Sequence, residues 1–229
     1  MKKIIFLSLL AFSSYSFAQE TSKKEEEDSV SFYYGIGANV NGSYKIDDKL
    51  AASNFPQLVQ TTPEFIIGMD YFGNDFSIDT ELTSQFFKKS NSSGTSSGNS
   101  TAFKLRGHYN FVNSSKFFFS GGLNLGYTLN DFGVNASNNQ VDLNNLSTST
   151  SNYIRLRNGM FYTGPSIAFG LKKNDKVSVR LNLGYEFAIA SGKWKSDFAN
   201  VSNTFSENGH NRFIIGLVFM SNKSKSQKE

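Results

Sequence analysis

The chain has 229 residues, 23 Lys+Arg against 19 Asp+Glu, and no cysteine; without cysteine it has no disulfide framework, thiolate zinc site, haem-attachment motif or cysteine nucleophile. With 15% aromatic and 38% hydrophobic residues it carries enough apolar surface to fold, which argues against wholesale disorder. A mean hydropathy of -0.35 excludes a large bundle of membrane helices.

Lys2 and Lys3 precede the apolar run Ile4 to Phe12, and Ser16-Phe17-Ala18 offers small residues at the two positions a signal peptidase reads. Residues 1–18 are expected to be a secretory signal. An apolar core of that length is far short of the roughly 20 residues a membrane-spanning helix needs. No cysteine follows the cut, so a lipoprotein route is closed. Removing 1–18 takes away two lysines and no acid, leaving 21 cations against 19 acids, or +2. That is no nucleic-acid footprint. Residues 19–29 (QETSKKEEEDS) have nothing apolar to bury and read as a solvated periplasmic leader, and residues 221–229 (SNKSKSQKE) as a polar tail.

Between Val30 and Met220 no helical period is sustained. Apolar and polar residues alternate instead with period two over eight stretches, the pattern of strands with one face of each kind. The first, Ser31 to Tyr44, sets Phe32, Tyr34, Ile36, Ala38, Val40 and Tyr44 against Gly35, Gly37, Asn39, Asn41 and Ser43. The second, Glu64 to Phe72, opposes Phe65, Ile67, Met69 and Tyr71 to Glu64, Gly68 and Asp70. The third, Phe76 to Phe87, opposes Phe76, Ile78, Leu82 and Phe86 to Ser77, Asp79, Glu81, Thr83 and Gln85. In the fourth, Thr101 to Phe111, the polar face carries Lys104, Arg106, His108 and Asn110. The fifth is Phe117 to Leu129. The sixth, about Phe161 to Leu171, contains Pro165, whose missing N–H predicts a bulge or local break. The seventh, Val177 to Ile189, sets seven apolar residues from Val177 onward against Ser178, Arg180, Asn182, Gly184, Glu186 and Ala188. The eighth is Arg212 to Met220.

Connections alternate in length. Gly73-Asn74-Asp75, Val112 to Lys116 and Lys172 to Lys176 read as tight turns. Lys45 to Thr62, Lys88 to Ser100, Asn130 to Asn158 and Ala190 to His210 read as long polar loops. An all-β fold follows: an eight-stranded antiparallel up-and-down transmembrane barrel with short periplasmic turns, long extracellular loops and both termini periplasmic. A soluble barrel of the lipocalin type would turn its apolar face inward instead. Two features weigh against it. The polar face carries a near-balanced set of charges, Glu64, Asp70, Asp79, Glu81 and Glu186 with Lys104, Arg106, Arg180 and Arg212, interspersed with glycines that suit a narrow lumen. The apolar face places aromatics near both strand ends: Tyr44, Phe65, Phe86, Phe103, Tyr127, Phe161 and Phe187 toward the long loops, and Phe32, Tyr71, Phe76, Tyr109 and Phe111 among others toward the short turns. Two such girdles suit a lipid-facing wall.

On these features the chain resembles the small bacterial outer-membrane barrels of the OmpA/OmpX type and, more loosely, the outer-membrane β-barrel domain family that includes OmpW-like proteins. The resemblance runs over residues 30–220 and is one of architecture. It implies a location in the outer membrane, contact with its lipid and lipopolysaccharide, and handling by the barrel assembly machinery. Such barrels commonly end on an aromatic; here Phe219 is followed by Met220 and the polar tail, although Phe213, Ile215, Leu217 and Phe219 still make a fitting last strand.

The nine lumen charges are candidates for an ion-pair core between neighbouring strands that plugs the bore, since unpaired ions there would be costly. Arg155, Arg157, Lys193 and Lys195 are weaker candidates for lipopolysaccharide phosphates. A lipid A-modifying enzyme of the deacylase type would need a lipid-facing His-x-Ser pair, which neither His108 nor His210 supplies, so both histidines read as solvated or hydrogen-bonded. No phosphate-binding Gly-rich loop, HExxH or calcium loop occurs. The expected protein is monomeric and non-enzymatic, with no cofactor or metal and no nucleic-acid partner, acting through its extracellular loops. A narrow channel for small or amphiphilic solutes is the alternative, and an enzyme the third reading.

Overall fold

The structure, a computed structural model, describes residues 29–137, 153–174 and 176–221. The strands are β1 (Ser29–Asn41), β2 (Thr61–Phe72), β3 (Phe76–Ser90), β4 (Gly94–Asn113), β5 (Phe117–Ala136), β6 (Tyr153–Lys173), β7 (Lys176–Ser191) and β8 (Asn211–Ser221), with a helix α1 (Lys45–Ala52) between β1 and β2. Each strand pairs antiparallel with its sequence neighbours, and β1 pairs with β8 to close the barrel. Closure leaves no unpaired edge in the wall. The expected signal (1–18), most of the leader (19–28) and residues 222–229 of the tail lie outside the described residues. Ser29 and Ser221, assigned to leader and tail by composition, begin β1 and end β8.

Period-two alternation decides which face goes where. Along β8, Arg212, Ile214, Gly216, Val218 and Met220 turn inward while Phe213, Ile215, Leu217 and Phe219 turn outward. The outward set is apolar all round: Phe32, Phe65, Ile67, Phe103 and Leu123 are 56–65% exposed. Glu64, Asp79, Lys104 and Arg180 face the lumen at 1–3% exposure. The inverse, soluble arrangement is therefore not the one adopted.

Four expectations need correction. Val177 is not on the outward face. The register between β6 and β7 slips between Leu171 and Lys172, so that Val177 turns inward and is 6% exposed. Tyr44 is not part of an aromatic girdle either, because β1 ends at Asn41 and Tyr44 precedes α1. The stretch Lys88 to Ser100 is strand rather than loop. Lys88 pairs with Ser97 and Ser90 with Thr95, closed by a three-residue turn in which the Asn91 carboxamide oxygen accepts from the amides of Ser93 (2.9 Å) and Gly94 (3.0 Å). Asn130 to Asn158 likewise begins and ends as strand, with 138–152 outside the described residues. Thus β3 to β6 run on past the apolar zone as a four-stranded sheet. Main-chain pairing continues there without apolar alternation to announce it.

Pro165 does interrupt the ladder. On the β7 side pairing stops at Thr163↔Phe187 and resumes at Ser166↔Gly184 in the same register, and a one-residue shift lies nearby between Phe161 and Tyr162. On the β5 side Leu123↔Pro165 pairs without a shift.

Two main apolar clusters lie inside the barrel wall or above it. At the short-turn end Tyr33, Ile66, Phe72, Phe118, Ala168, Val177, Val218 and Met220 fill the bore. Phe72 and Phe118 meet edge to face with centroids 4.7 Å apart. Gly170 makes the room: a Cβ there would lie 2.0 Å from the Phe118 ring. At the opposite end Ile46 and Leu50, one helical turn apart on α1, join Leu58, Phe132, Val134 and Trp194 in a second core. An end-on view from either side meets side chains.

Candidate functional site

Between the two clusters all nine sequence-identified charges face the lumen and are buried. They form one connected network. Arg180 reaches across the bore from β7 to Asp70 on β2 (3.3 Å) and Asp79 on β3 (2.5 Å). Arg106 lies 3.6 Å from Asp79 and 3.5 Å from Glu81. Lys104 bridges Glu64 (2.9 Å) and Glu81 (3.6 Å). Arg212 grips Glu186 at 2.7 Å, and Asn124 joins this pair to the rest by accepting from Arg106 Nε (3.0 Å) and donating to Glu186 Oε1 (3.1 Å). Register explains most of it: Asp79↔Arg106, Glu81↔Lys104 and Glu186↔Arg212 are cross-strand partners. Arg180, and Lys104 in its bond to Glu64 on β2, depart from the neighbour-strand expectation, because a long stem can span a narrow lumen into which Gly37, Gly184 and Gly216 project no side chain.

Aromatic groups cap the charges. The Tyr33 hydroxyl donates to Glu81 (3.2 Å), the Arg180 guanidinium lies 5.1 Å from the Tyr33 ring, and Arg212 lies 3.8 Å over Tyr162. Removing one partner of such a buried pair leaves an uncompensated charge, at a cost of about 3–5 kcal/mol.

His108 sits between the network and the short-turn plug, its Nε2 2.6 Å from Ser166 Oγ and its Nδ1 3.2 Å from Ser120 Oγ. This Ser–His contact escaped sequence reading, since the partners are 58 residues apart. It lacks what a nucleophile needs. The second ring nitrogen faces a hydroxyl rather than a carboxylate, and both groups are buried.

The opposite end is closed by chemistry the sequence did not announce. Glu207, buried just after Ser206, accepts from the first amides of α1, Lys45 N (2.7 Å) and Ile46 N (3.1 Å), and from Trp194 Nε1 (2.9 Å). A carboxylate there satisfies otherwise orphaned N–H groups and suits the positive end of the helix dipole. Asp47 accepts from Tyr44 N (3.0 Å) and Leu58 N (2.8 Å), and burial raises its carboxyl above the ordinary value. Beneath the helix, the His210 ring stacks on Tyr44 at 3.9 Å. Its Nε2 donates to the Gly42 carbonyl (3.1 Å), so its Nδ1 accepts from the Tyr162 hydroxyl (2.8 Å). Burial pushes this imidazole down to about 4, the Gly42 carbonyl opposing and Arg212 adding to the shift.

The four candidate phosphate contacts sit beside this cap. Arg155 forks onto Asp131 (2.8 and 2.6 Å), and Arg157 bridges Asp131 (3.0 Å) and Asp197 (2.5 Å). Lys193 and Lys195 are exposed, their backbones bridged to Ser206 and Arg157. Two of the four cations are thus already shared with carboxylates.

No family model matches the chain, and no curated protein matches it. Among solved structures it is similar to Ail, the attachment invasion locus protein of Yersinia pestis, at 9% identity over 85% of this chain and 99% of that one, with a TM-score of 0.44. A major outer membrane protein from Thermus thermophilus matches at 9% identity over 84% and 100%, TM-score 0.45. The outer membrane protease OmpT from Escherichia coli matches at 8% identity over 88% and 99%, TM-score 0.39. The solved structures the chain matches are outer-membrane β-barrels, the group that its sequence resembles.

Proposed function

We propose that this protein is a closed, monomeric, non-enzymatic barrel of the bacterial outer membrane that presents the α1 cap and the β3–β6 sheet extension to the cell exterior for structural or surface-interaction roles. The outward wall supports the membrane location. So continuous a belt of exposed Phe, Tyr, Leu and Ile side chains is rare on a monomer in water. Along β4 the outward apolar run from Phe103 to Phe111 rises roughly 20 Å at a strand tilt near 40°, comparable to the roughly 25 Å band of such barrels. Short turns then face the periplasm with both termini. Phe213, Ile215, Leu217 and Phe219 give the assembly machinery its terminal strand, and Lys193 and Lys195 remain available to lipopolysaccharide phosphates.

The sealed lumen carries the functional reading: an apolar plug at the short-turn end, a connected ion network, and a helix-bearing cap. A second reading, a narrow wet passage, draws support from buried polar groups without a hydrogen-bond partner, chiefly both amide atoms of Asn39 and Asn182. Planar-bilayer recording separates the two. The closed barrel gives no conductance above leak, and steady single-channel steps would favour the passage. Membrane fractionation, a mobility shift between unheated and boiled samples, and protease cleavage confined to the β1–β2, β5–β6 and β7–β8 connections on intact cells test location and orientation.

A further inference from the structure

We infer that the cap carries a binding cleft for neutral saccharides, between the C-terminal end of α1 and the β3–β4 turn. This rests on the proposed orientation, in which that turn is an outermost point of the molecule. The cleft is shallow and open to solvent, and is lined by Ala51, Asn54, Phe55, Gln57, Asn91, Ser92 and Ser93.

Its composition selects the ligand. The lining contains carboxamides, hydroxyls and two apolar residues, with no charged side chain. A carboxamide offers both an acceptor oxygen and a two-hydrogen donor, and so can engage neighbouring sugar hydroxyls, each of which donates and accepts. Phe55, half-buried, supplies an apolar surface suited to the C–H face of a pyranose. Among the lining side chains a phosphate, sulfate or cationic group finds no counter-charge, whereas uncharged polyols meet matched hydrogen-bonding groups.

Rigidity is the second observation. Asn91 is spent on structure: its carboxamide oxygen holds the turn, and its Nδ2 donates to the Asn54 carbonyl at 2.9 Å, tying the two walls together. Ser96 Oγ donates to the Pro56 carbonyl (2.6 Å), and Phe55 N donates to the Leu50 carbonyl (2.9 Å). Phe55 packs so closely on β4 that a Cβ at Gly94 would lie 2.8 Å from its ring. Asn54, Gln57 and Ser92, by contrast, are exposed, and among the described residues their side chains are not drawn into the bonds that fix the two walls. A backbone fixed in this way, with exposed polar side chains on it, lowers the ordering cost of binding.

The test is calorimetric titration of the full-length barrel in nanodiscs with neutral glucose-, galactose-, mannose- and N-acetylhexosamine-based oligosaccharides, beside sulfated and sialylated counterparts. The expected result is micromolar-to-millimolar binding of at least one neutral probe, weakened about tenfold or more by Asn54→Gly with Gln57→Ala. Glycine tolerates the positive φ of 58° at position 54, so the turn survives. The variant should keep the heat-dependent gel mobility of the parent, and Lys193→Ala with Lys195→Ala should not alter binding. No neutral probe binding up to 10 mM, preference for the charged probes, or neutral binding indifferent to the cleft variant would each overturn the inference. Nanodiscs expose both faces, so failure here is separable from a wrong orientation, which protease treatment of cells reads.

Discussion

Glu207 is the side chain on which the cap depends most, because one carboxylate holds two helix amides and the Trp194 indole. Replacing it by alanine removes charge-assisted bonds of the kind worth about 1.5–3 kcal/mol each and is expected to open the cap by a few kcal/mol. Faster hydrogen exchange over Lys45–Ala52 and a shifted Trp194 emission, with barrel unfolding temperature unchanged, would show this. His210 adds a pH dependence. Its folded value near 4 lies below the ordinary 6.5, so the open cap binds the extra proton; cap stability is full above about pH 6.5 and falls as pH drops toward 4, by roughly 3 kcal/mol. Asp47, raised by burial, opposes this at the acid end. Trp194 emission that stays flat from pH 8 to 6.5, changes below, and loses that change in His210→Asn would match. In the lumen, Arg180→Met strands Asp70 and leaves Asp79 with Arg106 alone, and should destabilise the barrel by about 3–5 kcal/mol, with recovery when both become Asn; urea unfolding in liposomes measures it. The lumen charges were legible in the sequence because they recur with period two along strands whose other face is mostly apolar. The cap contacts were not, since Glu207 and Lys45 are 162 residues apart and only closure brings them together.

At the scale of elements, the strands announced themselves wherever one face is apolar and disappeared from view wherever it is not. Residues 94–100, rich in Ser and Asn, pair as strand through backbone bonds and a few side-chain bonds such as Ser100 Oγ to Asn130 Oδ1, with no apolar alternation, and α1 is too short to show a sustained helical period. The Val177 inversion comes from a one-residue slip at a turn, which no alternation pattern can reveal in advance. The Pro165 interruption, in contrast, follows from a missing donor and was readable from one residue. The outward face of β4 supports a comparative prediction. Leu105→Arg, in the middle of the apolar run, should cost about 2–4 kcal/mol, while Ser97→Arg, on the same face beyond it, should cost about 0–1 kcal/mol. Unfolding of both variants in liposomes checks the difference. Equal costs would mean that the apolar run does not lie at the bilayer midplane.

For the molecule as a unit, an inside-out distribution of polarity is the organising fact: charges along the axis, hydrocarbon around the perimeter, and apolar plugs where the axis meets solvent. The absence of cysteine makes that distribution directly measurable, since single cysteines introduced on the outward face will carry label at one site only. Spin labels at Leu82, Leu105, Leu123 and Ile167, with the protein reconstituted in bilayers, report their surroundings through collisions with dissolved oxygen and a water-soluble nickel complex. High oxygen and low nickel accessibility at all four positions is the expected result. Strong nickel accessibility at these positions would place the outward wall in water and contradict the membrane-barrel reading.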